Sequence, residues 1–231
     1  MDGTKAEYVR APLADNSLYL LPERLNEDAA VLLSDTLPSA HKIGLQNGDV
    51  KPGNTVAIVG AGPVCMGCPL TAQLYSPSQI IVIDMDDNRL ELARELGATY
   101  TVNSAKDDTI AQILALTEGR GVDCAIEAVG MEPTWNICQH VVKEGGHLAN
   151  VGVHGKLVSF AIEKIWIHNL TITTGLVNTN TTGMLLKSCS SGKLAVEKMA
   201  THRFGRDEIE KVYDVFKHVA DEKALNIIIN Y

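Results

Sequence analysis

The sequence predicts an α/β protein built on a doubly wound parallel sheet, and three observations predict it. Short aliphatic runs alternate with helical segments from Thr55 to Thr174. Several runs are apolar along their whole length rather than at every second residue, the pattern of strands buried on both faces. Strands that alternate strictly with helices pair in parallel through right-handed crossovers, which places helices on both faces of the sheet.

The elements follow in order. Thr55 to Val59 is the first strand, ending at Gly60, and a helical segment runs from there to about Tyr75. Ile80 to Asp84 is the second strand, and Asn88 to Leu96 the second helix, closed by Gly97 as its C-cap. Thr99 to Val102 and Val122 to Glu127 are the third and fourth strands, with a helix between them over Asp108 to Thr117. Thr134 to Val142 is helical. Gly145-Gly146 then turns into a fifth strand, His147 to Gly152, and Leu170 to Thr174 is the sixth. The flanks break this rhythm. Ala6 to Arg10 reads as strand-like, followed by Pro-containing turns and an apolar helix start near Asp28. Residues 178–231 hold a helix, a strand at Thr201 to Phe204, a helix over Asp207 to Val219 and a strand at Leu225 to Ile229. These flanks read as parts of a second unit with few strands of its own.

Composition narrows the function classes. The 231 residues suffice for one well-buried core, or one core with a smaller appendage. With 45% hydrophobic and 21% charged residues the chain has the balance of a soluble globular protein. No run approaches the roughly 20 apolar residues needed to span a bilayer, and Met1 to Glu7 lacks the basic-then-apolar pattern of a secretory signal. A formal net charge of -8 argues against a nucleic-acid partner. It does not argue against an anionic cofactor, because amides at a helix start hold phosphate without cations. The five cysteines point to a reducing, cytoplasmic setting without disulfides. Cys65-Met66-Gly67-Cys68 has redox or zinc spacing, but there is no second pair and it directly follows a glycine-rich turn, so two buried thiols on one helix is the favoured reading.

The chemistry lies at the strand ends. Gly60-Ala61-Gly62-Pro63-Val64-Cys65 joins the first strand to the first helix, where a pyrophosphate-binding turn belongs. In that motif the first glycine makes the turn, the second admits phosphates close to the backbone, and the third packs helix on strand. Gly60 and Gly62 fill the first two places, and Cys65 takes the third. Asp84 ends the second strand near the offset of the acidic residue that accepts from ribose hydroxyls and repels a 2′-phosphate. That favours NAD over NADP, a preference that nearby Arg89 softens; a solvated strand-end carboxylate is the alternative for Asp84. Val129, Val151 and Val153 follow the fourth and fifth strands, where they either line a dinucleotide or serve as core aliphatics at loop entrances.

With these motifs in hand, the chain resembles the medium-chain dehydrogenase/reductase family, in particular bacterial zinc-dependent alcohol dehydrogenases. The likeness rests on Gly48 to Pro63, Ile81 to Gly97, Gly119 to Gly130 and Gly145 to Val153, and extends to Gly3 to Val9 and Ala224 to Tyr231. It implies a Rossmann domain at 39–177, flanked by a remnant of a catalytic domain at 1–38 and by a segment at 178–231 that returns to that domain. It further implies that most of the catalytic domain, with two zinc ligands and the proton relay, is missing. Asp35 matches the place of a third zinc ligand, or else is a helix N-terminal carboxylate complementing the dipole. Zinc then binds only if the missing ligands are supplied.

Three departures from the family pattern stand out. Ser39-Ala40-His41 replaces a Thr-Gly-Phe-like stretch, with Ser39 keeping a hydroxyl near the nicotinamide. Pro69 falls inside the first helix, at a cost of about 3 kcal/mol unless the helix kinks. Asn226 stands where a basic residue meets the pyrophosphate. The histidines, His41 among them, lack ligand spacing. Two functions follow as expectations. One is the coenzyme-binding part of an enzyme that moves hydride between NAD and an alcohol or carbonyl, weakly active or inactive alone. The other is a non-catalytic dinucleotide-binding or dimerisation module, self-associating through the sheet edge.

Overall fold

The structure is a computed structural model and describes residues 8–106 and 108–230. Tyr8 to Arg10 form no strand, and Ala6 and Glu7 lie outside the described residues. The first flank contains α1 (Ala14–Ser17), α2 (Glu27–Leu32) and α3 (Thr36–Ser39). Asn26 caps α2, its side-chain oxygen accepting from the Asp28 N–H at 2.8 Å. Without a break α3 widens into a π-helix over Ala40–Gln46, a helical stretch that hydrophobic periodicity did not predict. The Asn47 N–H reaches back five residues to the Lys42 carbonyl at 3.0 Å.

The central sheet follows the predicted alternation. In chain order come β1 (Thr55–Val59), α4 (Pro63–Ala72), β2 (Gln79–Asp84), α5 (Asp87–Glu95), β3 (Tyr100–Asn103), α6 (Thr109–Leu116), β4 (Val122–Glu127), α7 (Glu132–Val141), β5 (Val142–Asn150), α8 (Ile162–Ile165) and β6 (Thr171–Thr174). All six strands are parallel, in the order β3-β2-β1-β4-β5-β6. The chain therefore leaves β1 toward β3 and returns to β1's other side, making the crevice between β1 and β4 the point where the winding reverses. Val59 lies opposite both Ile83 and Glu127, and Glu127 opposite Asn150, so the strands end together along one rim.

One strand differs from expectation, and the first helix runs as expected. β5 begins at Val142, because Val142 pairs with Val122 before the register shifts and His147 meets Cys124. Pro69 does not end α4, which runs through it to Ala72 and tightens into a 3-10 turn at Gln73–Tyr75. Proline removes one amide from the ladder there, and its ring lies buried in the core face of the helix, where apolar contact offsets the loss.

The second flank supplies α9 (Thr182–Ser190), β7 (Ala200–Gly205), α10 (Ile209–Lys217) and β8 (Asn226–Asn230), with β7 and β8 pairing in parallel. The two flanks meet: Arg203 on β7 donates to Asp28 on α2. Their apolar residues, such as Leu32, Leu185, Val196 and Leu225, join Met66, Ile58 and Val82 in one core on the α4 face of the sheet. The opposite face forms a separate core around Val59, Ile83, Ile113 and Trp135.

Candidate functional site

The turn after β1 is held by the end of β2. The Gly60 N–H donates to the Ile83 carbonyl, and the Ala61 N–H donates to Asp84 Oδ2, both at 2.7 Å. Gly60 has φ +110, and a Cβ there would stand 2.6 Å from Val129 Cγ2 and 2.8 Å from Cys65 Sγ. Gly62 differs. It caps α4 in extended backbone, and a Cβ there would meet nothing nearer than Cys65 Sγ at 4.0 Å. Pro63 opens the helix, where its missing amide costs nothing. From Val64 the first turn presents N–H groups without helical partners, at the positive end of the helix dipole.

Cys65, in the third motif place, is buried under the turn, with Sγ 3.1 Å from the Ala128 carbonyl oxygen. Burial pushes its pKa up to about 12, so the thiol is a packing group. Cys68 is buried as well, its Sγ 3.8 Å from the Ala40 carbonyl oxygen. The pair is thus two buried thiols on a helix.

Asp84 is already engaged. Its Oδ1 accepts from the N–H groups of Met85 (2.8 Å) and Asp86 (3.0 Å), and its Oδ2 from Ala61. A carboxylate offers about four acceptor directions, so one remains. The residue opens on a cleft of about 390 Å³ whose lining includes Gly60, Asp84, Met85, Ile110, Val129 and Ile137. Gly60, Asp84 and Val129 therefore meet in one place.

Other predicted residues are placed elsewhere. Arg89 lines a separate depression with Lys223 and Leu225 rather than the Asp84 cleft, and its Nε is buried without a partner. Val151 is partly buried against the core, and its N–H donates to the Glu127 carbonyl at 2.7 Å. Val153 is 88% exposed. Ser39 donates from its hydroxyl to Asp35 Oδ1 at 3.0 Å, pairing the two residues near the start of the π-helix. His41 is buried, its Nε2 3.4 Å from the Tyr75 hydroxyl and its Nδ1 unpartnered, and desolvation lowers its pKa to about 4. Asn226 Nδ2 donates to the Met199 carbonyl at 3.0 Å, which commits it to the small sheet.

Sequence reasoning missed the role of Glu127. This acid ends β4 with no exposed surface. Its Oε1 accepts from the N–H groups of Val129 (3.0 Å) and Gly130 (2.9 Å) and from the Thr134 hydroxyl (2.7 Å). Its Oε2 lies 3.4 Å from His154 Nε2. One signal for it was available: a carboxylate closing an otherwise buried strand just before Gly130.

Among the described residues, no group of three or more His, Cys, Asp or Glu side chains is arranged to hold a metal ion. Asp35 has Ser39 as its side-chain partner, and a catalytic zinc takes three protein ligands. The residues described here do not by themselves fit zinc.

A six-stranded parallel sheet in this order, with a glycine turn, a helix start and an acid gathered at the reversal point, defines the class: a dinucleotide-binding α/β domain. The zinc-binding dehydrogenase family matches residues 63–190, and the chain belongs to that family. An alcohol dehydrogenase from Cupriavidus necator is 32% identical over 225 residues, covering 96% of this chain and 61% of that protein. The structure superposes on zinc-dependent alcohol dehydrogenase 2 from Streptococcus pneumoniae with a TM-score of 0.94 at 50% identity, covering all of this chain and 66% of the other. It superposes on alcohol dehydrogenase TADH from Thermus sp. ATN1 with a TM-score of 0.92 at 30% identity, covering 99% and 66%. The chain spans about three-fifths of the length of the Cupriavidus relative, 61%.

Proposed function

We propose that this chain binds a nicotinamide dinucleotide, NAD in preference to NADP, as the coenzyme-binding part of a zinc-dependent alcohol dehydrogenase. The observation that carries the reading is the meeting of Gly60, Asp84 and Val129 in one cleft beside the open approach over Gly62. Amides of the first α4 turn hold the diphosphate, and the free acceptor direction of Asp84 takes a ribose hydroxyl. The same carboxylate repels a 2′-phosphate, and Arg89, in its separate depression, does not relieve that repulsion. The bound dinucleotide supplies the hydride acceptor or donor for an alcohol or carbonyl substrate.

Residues 39–177 form the dinucleotide domain in this reading, and 1–38 with 178–231 belong to the catalytic unit. Asp35 is one zinc ligand of a set completed by residues other than those described here, so the chain alone oxidises alcohols weakly or not at all. The free, buried cysteines fit a reducing, cytoplasmic setting. Among the described residues no helix is long and apolar enough to cross a membrane. β3 and β6 end the sheet order and leave two strand edges, through one of which two copies would pair.

Fluorescence titration of the purified chain with NADH and, separately, NADPH tests the reading. Saturable NADH binding is expected, with NADPH weaker by about tenfold or more, the scale of one uncompensated charge repulsion. A flat response to both overturns it.

A further inference from the structure

We propose that Glu127 is a positioning residue whose buried carboxylate clasps the loop after β4 to the loop after β5, setting the crevice that receives the nicotinamide half of the dinucleotide. The inference rests on the dinucleotide reading above and gives that site a second, internal support.

A buried carboxylate costs several kcal/mol unless its oxygens are satisfied. Val122, Cys124, Ala125 and Ile126 bury apolar side chains, and Asp123 at the other end of β4 is partly exposed and pairs with Lys143, so Glu127 is the one fully buried acid of the strand. What the acid does is gather donors. One oxygen collects Val129, Gly130 and Thr134 from the loop after β4 and the start of α7. The other accepts from the Gly130 N–H at 3.1 Å and faces His154 in the loop after β5. His154 Nε2 also lies 2.8 Å from Asn150 Oδ1, and Asn150 Nδ2 donates to the Gly152 carbonyl at 2.9 Å, which ties that loop to the end of its own strand.

Two glycines let the loops close on the carboxylate. A Cβ at Gly152 would stand 2.3 Å from Glu127 Oε2, and a Cβ at Gly130, where φ is +85, would stand 2.3 Å from the Val153 carbonyl oxygen. Neither loop has room for another side chain between them.

Topology says which half of the ligand this controls. Asp84 ends β2 on one side of β1, and Glu127 and Asn150 end β4 and β5 on the other. A dinucleotide with its adenosine ribose at Asp84 and its diphosphate at α4 carries its nicotinamide toward the β4 and β5 loops. The clasp therefore acts on NADH binding more than on AMP binding.

The test compares the full chain with its Glu127→Gln variant in NADH titration, AMP titration and amide hydrogen exchange of residues 128–131 and 151–154. Replacing charge-assisted bonds with weaker neutral ones is expected to lower NADH affinity about tenfold, change AMP affinity less than about threefold, and speed exchange in both loops. Equal loss of NADH and AMP affinity, or unchanged exchange in either loop, overturns the clasp. Failure of the unaltered chain to bind NADH overturns the dinucleotide reading instead, and the exchange data separate the two results. Should Glu127→Gln not fold, His154→Phe keeps a ring against Trp135 and removes only the donor. A roughly threefold loss of NADH affinity with faster exchange at 151–154 then supports the clasp. An unchanged NADH-to-AMP ratio with unchanged exchange overturns it.

Discussion

The rim of the sheet carries two kinds of glycine that serve opposite purposes. At Gly62, after β1, a Cβ would find no neighbour nearer than 4.0 Å; at Gly130 and Gly152, after β4 and β5, it would strike other protein atoms at 2.3 Å. Gly60 belongs with the crowded kind, since Val129 and Cys65 stand close to it. A glycine facing its own protein is kept for folding, and a glycine facing open space is kept for what approaches from outside. The difference separates stability from binding on one rim, and variants can pull the two apart.

The largest effect is expected at Gly130. Alanine there must take a left-handed backbone, and its methyl group runs into the Val153 main chain, which cannot step aside as a side chain would. A loss of about 3 kcal/mol or more in urea unfolding is expected. A loss below about 1 kcal/mol would erase the distinction between the two kinds of glycine.

Buried polar groups offer a parallel contrast. Glu127 is surrounded by donors, whereas His41 is buried with one ring nitrogen unpartnered and its pKa lowered from 6.5 to about 4. A folded-state pKa below the unfolded one means the unfolded chain binds the extra proton between these values. Stability is therefore full above pH 6.5 and falls as pH drops toward 4, by on the order of 3 kcal/mol. Urea midpoints at pH 7 and pH 4.5 should show a smaller difference in His41→Phe than in the unaltered chain. Equal differences would remove His41 as a cause.

Cys65 tests the third motif place. Cys65→Gly would restore the usual glycine, yet here the thiol fills the space between α4, Gly60 and Ala128. The variant is expected to lose roughly 1–2 kcal/mol, from the emptied space and from glycine's poor helix propensity, with NADH affinity unchanged. A gain in affinity would show that the thiol obstructs the ligand after all.

What the sequence revealed follows the same divide between local and distant partners. The turn at Gly60 to Val64 and the acid at Asp84 were legible because strand, turn and helix occur in one short stretch. Six aliphatic runs were enough to place the sheet. Glu127 was not legible as a clasp, since its partners come from the loop behind it, from Thr134 on the next helix and from His154 beyond the next strand. Arg89 makes a related point. It is close to Asp84 in sequence, but α5 turns it toward Lys223 and Leu225. The π-helix at Ala40–Gln46 escaped because its buried positions include His41 and Gly44, which do not read as an apolar helix face, although Asp35 and Pro38 mark a helix start nearby.

The smallest change in the folded protein should produce the clearest change in binding. Gly62 has φ −75 and ψ −179, a backbone that alanine adopts freely, and its methyl group would meet only solvent and the distant Cys65 sulfur. Gly62→Ala should therefore alter unfolding stability by less than about 0.5 kcal/mol. The same methyl group would stand where a diphosphate must touch the backbone, and separating them weakens each amide–phosphate bond together. NADH affinity is expected to fall about tenfold or more, which corresponds to about 1.4 kcal/mol. AMP, which reaches the Asp84 cleft without the full diphosphate, should lose less. If Gly62→Ala binds NADH as tightly as the unaltered chain, the open space over this residue has no part in holding the ligand. The two kinds of glycine on the rim would then differ in packing alone.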